Sequence, residues 1–468
     1  MEQVLMSKQK ALQVNLDTNI YGTFAEIGAG QETVRHFFRA GGASGTIAKA
    51  MSAYDKDFSD AIYGIENDGR YVTQARLGKM LDWEVDLLDR RLSREKHPHK
   101  TFFAFANTVT TIDWAKKYKG HGWLGIRFQL GALEGYNQIM IHIRFHDNDA
   151  RLQQEVLGVL GVNLIYGAYY HKDDSKKLLK SLYDNIDKDR LEIDLIEFTG
   201  PRFAHVDNRL MSLQLVKNGM TSAVMFGPNG KNLLPAQHLY KKNILTIRGS
   251  FRPVTKVNSD IIDKGYKLFV KENRVEEDNV RLITEITLSN LKALGKINER
   301  DFLERADILC SLGRTVMISD VSEYYKLIEY LSTFTKARMG IALGANSIIE
   351  IFNEKYYRDL SGGLLEAFGK LFMKDLKLYV YPDVDKDGEI LNIDAIKVHP
   401  RYKDLFNYFK KNKRIVDIED YDESLITIYS QDVFRMIKNK EDGWEEFLPD
   451  GVAETIKKRR LFGYIEKN

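Results

Sequence analysis

The run Ile247-Arg248-Gly249-Ser250-Phe251-Arg252-Pro253-Val254-Thr255-Lys256-Val257-Asn258-Ser259-Asp260-Ile261-Ile262 joins two segments of different character. Asn243 to Ile247 reads as an apolar strand and Ser259 to Lys271 as a helix. Glycine, proline and small polar residues occupy the junction, so the stretch predicts a strand that turns directly into a helix, the repeating unit of an α/β fold.

The same rhythm extends on both sides. Strand-like runs recur at Val162 to Tyr170, Leu191 to Phe198, Ser222 to Phe226, Asn243 to Ile247, Val280 to Thr287, Thr315 to Ser319, Met339 to Leu343 and Leu376 to Tyr381. Helical segments such as Lys176 to Asn185, Asn208 to Lys217, Glu299 to Leu309, Glu323 to Thr333 and Gly363 to Phe372 separate them. The expected content is eight parallel strands, arranged as a doubly wound sheet or closed into a (βα)8 barrel. Ahead of this domain, residues 1–155 read as a mixed α+β domain. It has a glycine-rich start, a helix from Thr73 to Arg94, and strands at Thr101 to Thr110 and Gln138 to His146. Beyond Pro382 the chain turns strongly charged, as over Lys403 to Arg414, and residues 383–468 read as a mainly helical tail that ends in a helix-like segment from Gly451 to Arg460. The parallel βα domain is thus expected over 156–382.

Composition narrows the function classes. With 468 residues and a net charge of +3, bulk charge does not advertise a nucleic-acid surface. No stretch approaches the roughly 20 apolar residues of a membrane span. The single cysteine, Cys310, offers no internal disulfide, which points to a reducing, cytoplasmic setting. The expected partner is a small-molecule nucleotide or phosphometabolite, with no nucleic acid and no membrane.

The Ile247 to Ile262 stretch resembles the strand-to-helix signature of the nucleotidyltransferase superfamily that includes the nicotinate-nucleotide and pantetheine-phosphate adenylyltransferases. Gly249, Ser250, Phe251, Pro253, Thr255 and Ile261 hold matching positions. Across its length the chain also resembles a bacterial family whose members often carry a nicotinate-nucleotide adenylyltransferase label, in stretches such as Tyr21 to Glu32 and Val206 to Met211. The resemblance implies ATP with Mg2+ as cofactors, bound at Gly249, Ser250, Thr255 and Asn258. In such a turn, backbone N–H groups and the positive helix end face the phosphates. Three positions depart from the pattern: Arg252 stands for its acidic residue, Val257 for its glycine and Asn258 for its second histidine. Asn258 donates a hydrogen bond but carries no cationic charge. Arg248 and Arg252 flank the turn and form a candidate anion clamp that would stabilise charge in the reaction. The plain alternative is an ordinary βα turn with paired arginines. A catalytically inactive nucleotide sensor or interaction protein is a further reading.

In a barrel, Glu197 and Glu285 would be the acid/base pair acting on a phosphorylated or carboxylated small molecule, since each sits in an apolar strand where a lone carboxylate is costly. Other segments carry weaker signals. Gly28-Ala29-Gly30 lacks the third glycine of a dinucleotide fingerprint, because Thr33 stands in its place. His142, Arg144 and His146 alternate on one strand face and read as a polar face without a third metal ligand. Asp383 to Ile390 opens like a calcium loop but reads better as an Asp-Gly hairpin, and no metal site is assigned.

Overall fold

The structure is a computed structural model that describes residues 4–92, 95–292, 297–372, 375–385 and 387–466. The chain forms two compact units, Met1–Thr221 and Ser222–Asn468. The division falls elsewhere than the expected boundaries at 155 and 382, and the reason is strand pairing.

In the first unit, strands β1 (Ile20–Gly28), β2 (Ile47–Ala53), β3 (Thr101–Thr110), β4 (His121–Phe128), β5 (Asn137–Phe145) and β6 (Leu191–Thr199) form one sheet in the order β2-β1-β3-β4-β5-β6. β1 is parallel to β2 and β3, whereas β3 to β6 run antiparallel. The pairing of β6 with β5 ties residues 191–199 to this unit. Val162 to Tyr170, expected as a strand, is the end of a 21-residue helix, Ala150–Tyr170, capped by Asp149, whose carboxylate accepts the Leu152 amide at 3.0 Å. This helix buries residues on nearly every side, including Val156, Leu160, Val162 and Ile165, so its apolar run lacks a polar stripe. The long helix starts as expected, with Thr73 as its cap, and spans Gln74–Arg91; the expected end at Arg94 lies outside the described residues. Its Leu77 and Leu81 pack towards Gly125 of β4, where a side chain would leave too little room.

The second unit holds β7 (Ala223–Phe226), β8 (Asn232–Leu233), β9 (Asn243–Arg248), β10 (Val280–Thr287), β11 (Thr315–Ser319), β12 (Met339–Gly344), β13 (Leu376–Tyr381), the small hairpin β14 (Asp383–Val384) and β15 (Ile390–Leu391), and β16 (Ile415–Asp417). Its main sheet runs β16-β13-β12-β9-β10-β11-β7-β8. The strands from β16 to β11 are mutually parallel, and the β7-β8 pair closes one side in antiparallel sense. Numbered along the chain from β9, the parallel strands stand in the order 3-2-1-4-5-6, the doubly wound arrangement of dinucleotide-binding folds. The sheet is open, ending at β16 and β8, so the barrel alternative is not formed. Residues 383–468 hold the helices Lys403–Lys411, Ser430–Asn439 and Val452–Arg459, but β16 extends the sheet, which places part of this region with the parallel strands.

Helices cover both faces. On one face Ile244, Ile341, Leu343, Leu378 and Val380 pack with Leu327, Ile348, Phe368 and Phe406 of the later helices. On the other lies the helix Lys256–Phe269, where Gly265 permits contact with Ala342 of β12 and Phe269 meets the Tyr379 ring edge-on at 6.2 Å. Crossover helices on two faces require that the strand order reverse somewhere, and it reverses between β9 and β12.

Candidate functional site

The carboxyl end of β9 lies at this reversal, which is where open α/β sheets bind ligands. The turn Gly249 to Thr255 begins there and feeds the helix Lys256–Phe269. Thr255 is the helix N-cap, and Asn258 at the third helical position accepts hydrogen bonds from the Thr255 amide at 3.0 Å and hydroxyl at 3.1 Å. Two residues that the resemblance assigned to the nucleotide therefore form a capping box. Gly249 donates its amide to the Glu285 carbonyl at 3.0 Å and faces the buried Phe251 ring, and the Ser250 carbonyl accepts from Arg305 Nη1 at 3.0 Å.

The two flanking arginines have different environments. Arg248 is largely but not fully buried and grips the fully buried Glu285 of β10 through Nε and Nη2, at 2.8 and 2.9 Å. It also donates to the carbonyls of Val321 and Ser322 and stacks on the Tyr324 ring, 4.5 Å from its centroid. Ser319 of β11 adds a 2.6 Å hydrogen bond to Glu285. Arg248 and Glu285 thus meet as a satisfied buried ion pair that stitches β9, β10 and β11 together. Glu197 belongs to β6 of the first unit and accepts from Gln74 Nε2 at 2.7 Å. The two carboxylates proposed as one acid/base pair are held by separate sheets.

Arg252 is partly exposed. Its Nε donates to Asp301 at 2.5 Å, and Asp301 also accepts from Arg305 Nη2 at 2.5 Å. Two guanidinium groups share one carboxylate, which leaves a surplus positive charge beside the turn. Arg305 is buried, with its Nε lacking a hydrogen-bond partner among the described residues. Burial lowers the Arg305 pKa, Asp301 opposes this, and the Arg252 cation adds to the lowering. An anion at the turn would relieve that imbalance. The Arg252 guanidinium also lies over Phe434, 4.0 Å from the ring centroid, and Ser430 of the same C-terminal helix, Ser430–Asn439, approaches Asn258 at 3.4 Å.

The chain is partially similar to solved structures that include two kinds of protein. One is a Plasmodium falciparum nicotinic acid mononucleotide adenylyltransferase, 14% identical, with 48% of this chain and 98% of that one covered at a TM-score of 0.29. The other comprises competence/damage-inducible proteins. One, CihA from Agrobacterium tumefaciens, is 15% identical over 35% of this chain and 93% of its own, at a TM-score of 0.24. A CinA superfamily protein from Klebsiella pneumoniae is 9% identical over 35% and 96%, at 0.27. No family model and no curated protein matches the chain.

Asp301, Arg305 and Phe434 were not singled out in the sequence. Arg305 had a readable signal: it lies among Phe302, Ala306 and Leu309 on the buried side of its helix, where an arginine needs a partner. Phe434 had none, because its contact with Arg252 spans 182 positions. The remaining weak signals resolve as structure. His142 Nδ1 meets Asp194 at 2.5 Å and its Nε2 meets His121 at 3.2 Å, while Arg144 pairs with Glu192. Burial, with His142 nearby, pushes His121 down to about 4. Asp385 accepts the Asp387 and Glu389 amides at 2.9 Å each in the β14-β15 hairpin. Among the described residues, no group of three or more His, Cys, Asp or Glu side chains is arranged to hold a metal, and no helix is long and apolar enough to cross a membrane.

Proposed function

We propose that the protein binds a nucleotide or a related phosphometabolite at the Gly249 to Thr255 turn, with adenylyl transfer as the reaction to assay. The observation that carries this reading is the surplus cation of the Arg252-Asp301-Arg305 group, set at the reversal point of a doubly wound sheet. The orphaned Arg305 Nε fits the phosphate portion of Mg-ATP. Glu285 and Asp301 are each engaged by arginine, so Mg2+ would be carried mainly by the phosphates, as is common for this ion. When bound, Mg-ATP would supply the activated adenylyl group, with pyrophosphate as the leaving group. Arg252 would orient and stabilise the developing negative charge, since such transfer depends on positioning and electrostatics.

One observation favours a second reading, nucleotide sensing without turnover. Asn258, which replaces the second histidine of the resembled motif, has its side-chain oxygen committed to the helix cap.

A thermal-shift screen against ATP, NAD, nicotinate and nicotinamide mononucleotides and sugar phosphates, each with and without Mg2+, tests the proposal. Stabilisation by ATP that grows with Mg2+ is expected. Pyrophosphate release with a mononucleotide co-substrate then separates transfer from sensing. The absence of any nucleotide effect would overturn the assignment.

A further inference from the structure

The amino ends of the same parallel strands carry a second basic cluster, far from the turn. Arg338 immediately precedes β12, Asp375 precedes β13 and Arg414 precedes β16. With Asn273 and Arg274, which follow the helix Lys256–Phe269, they line a cavity of about 510 Å³. β12 has six residues, so at about 3.3 Å per residue this cavity lies roughly 20 Å along the sheet from the carboxyl-end crevice.

Two carboxylates are already spoken for here. Arg338 holds Asp375 with Nε and Nη2, at 2.9 and 3.0 Å, and reaches Glu272 with Nη1 at 2.5 Å. Lys377 also pairs with Glu272. Arg414 meets the same Asp375 at 3.2 Å. Arg274 is exposed and has no ion-pair or hydrogen-bond partner for its guanidinium among the described residues, although it acts on Asp375 through space. Arg274, Arg338 and Arg414 thus line the cavity with Asp375 as its lining carboxylate, an excess of two positive charges, and the Lys377–Glu272 pair beside it adds no net charge. Guanidinium groups suit phosphate because their planar N–H edges match its oxygens. The volume falls in the range of small-molecule sites.

We infer that this cavity is a second anion site, taking the phosphate or diphosphate group of a small phosphorylated molecule. Arg274 and Arg414 supply the recognition, while Asp375 holds Arg338 and Arg414 in place. The site stands independently of the turn at the carboxyl ends of the strands.

Calorimetric titration of the full chain with inorganic pyrophosphate in low-salt buffer tests it. The background is Arg252→Ala, so that binding at the turn does not contribute. Binding should persist in that background. It should weaken about tenfold or more when Arg274→Gln is added, as for a lost charge-assisted contact, and again with Arg414→Gln. Arg274→Gln removes no ion pair, so its melting temperature should match that of the background protein. Pyrophosphate binding that vanishes with Arg252→Ala alone, or that ignores Arg274→Gln, would overturn the inference without touching the assignment of the turn.

Discussion

Each unit contains a glycine-bearing turn that leads from a central parallel strand into a helix, yet the two turns are electrostatic opposites. In the first unit β1 ends at Gly28, and the helix Thr33–Ala40 follows. Its amino end is filled from within: the Thr33 amide donates to Glu26 of β1 at 3.0 Å, and Asn107 of β3 binds both Glu26 and the Gly30 carbonyl. A Cβ on Gly30 would overlap the Asn107 side chain, so that turn is closed against the neighbouring strand. In the second unit the turn after β9 has two arginines and one aspartate beside it. A helix start with an internal carboxyl has its acceptor already, whereas a turn with surplus cation remains ready for an anion. Local topology alone therefore does not distinguish the two turns; the balance of charge around them does.

The contrast between the turns depends most on the Arg248–Glu285 pair, which serves as architecture. Glu285→Ala would leave a buried, uncompensated guanidinium and should destabilise the second unit by about 3–5 kcal/mol in urea unfolding. Near-wild-type stability would mean that Arg248 is free for ligand after all.

The first unit's closed turn makes a pH prediction. Glu26 is buried, and burial raises its carboxyl to about 7 against the partial opposition of the Thr33, Val34 and Asn107 hydrogen bonds. Between the ordinary value of 4.5 and about 7 the unfolded chain has lost this proton while the folded one keeps it. The contribution to stability is therefore full below the lower value and falls as pH rises through the window, by about 3 kcal/mol in all. Glu26→Gln should remove that slope and make the protein more stable than wild type above the window, as read from melting temperatures across the range. Parallel pH curves for the two proteins would show that Glu26 ionises normally.

A smaller effect is expected at the cap of the second turn. Thr255→Ala removes half of the capping box and should cost about 1 kcal/mol in chemical denaturation. A much larger loss of nucleotide affinity than of stability in this variant would restore Thr255 as a direct phosphate ligand.

The second unit was the more legible in the sequence. The runs Val280 to Thr287, Thr315 to Ser319 and Leu376 to Tyr381 are strands with those same bounds, because buried parallel strands are short, apolar and interrupted by turn residues. The same rule misread Val162 to Tyr170, since a helix buried on most sides lacks the polar stripe that distinguishes it. β16 escaped notice because three residues within a charged region carry no periodicity. The sheet order rests on pairings between distant segments, to which local pattern is blind. At the site, the turn itself was readable, but the distinction between Arg248 and Arg252 was not. It depends on Glu285, Asp301 and Phe434, which lie 37, 49 and 182 residues away from their respective arginines.

If the turn of the second unit is the nucleotide site, the partly exposed Arg252 is its ligand-facing cation. Calorimetric titration of Mg-ATP into the wild-type chain and into Arg252→Ala tests it most directly. Binding to the wild type is expected, with an affinity more than tenfold lower in the variant and little change in melting temperature. Equal affinity in the two proteins would contradict it.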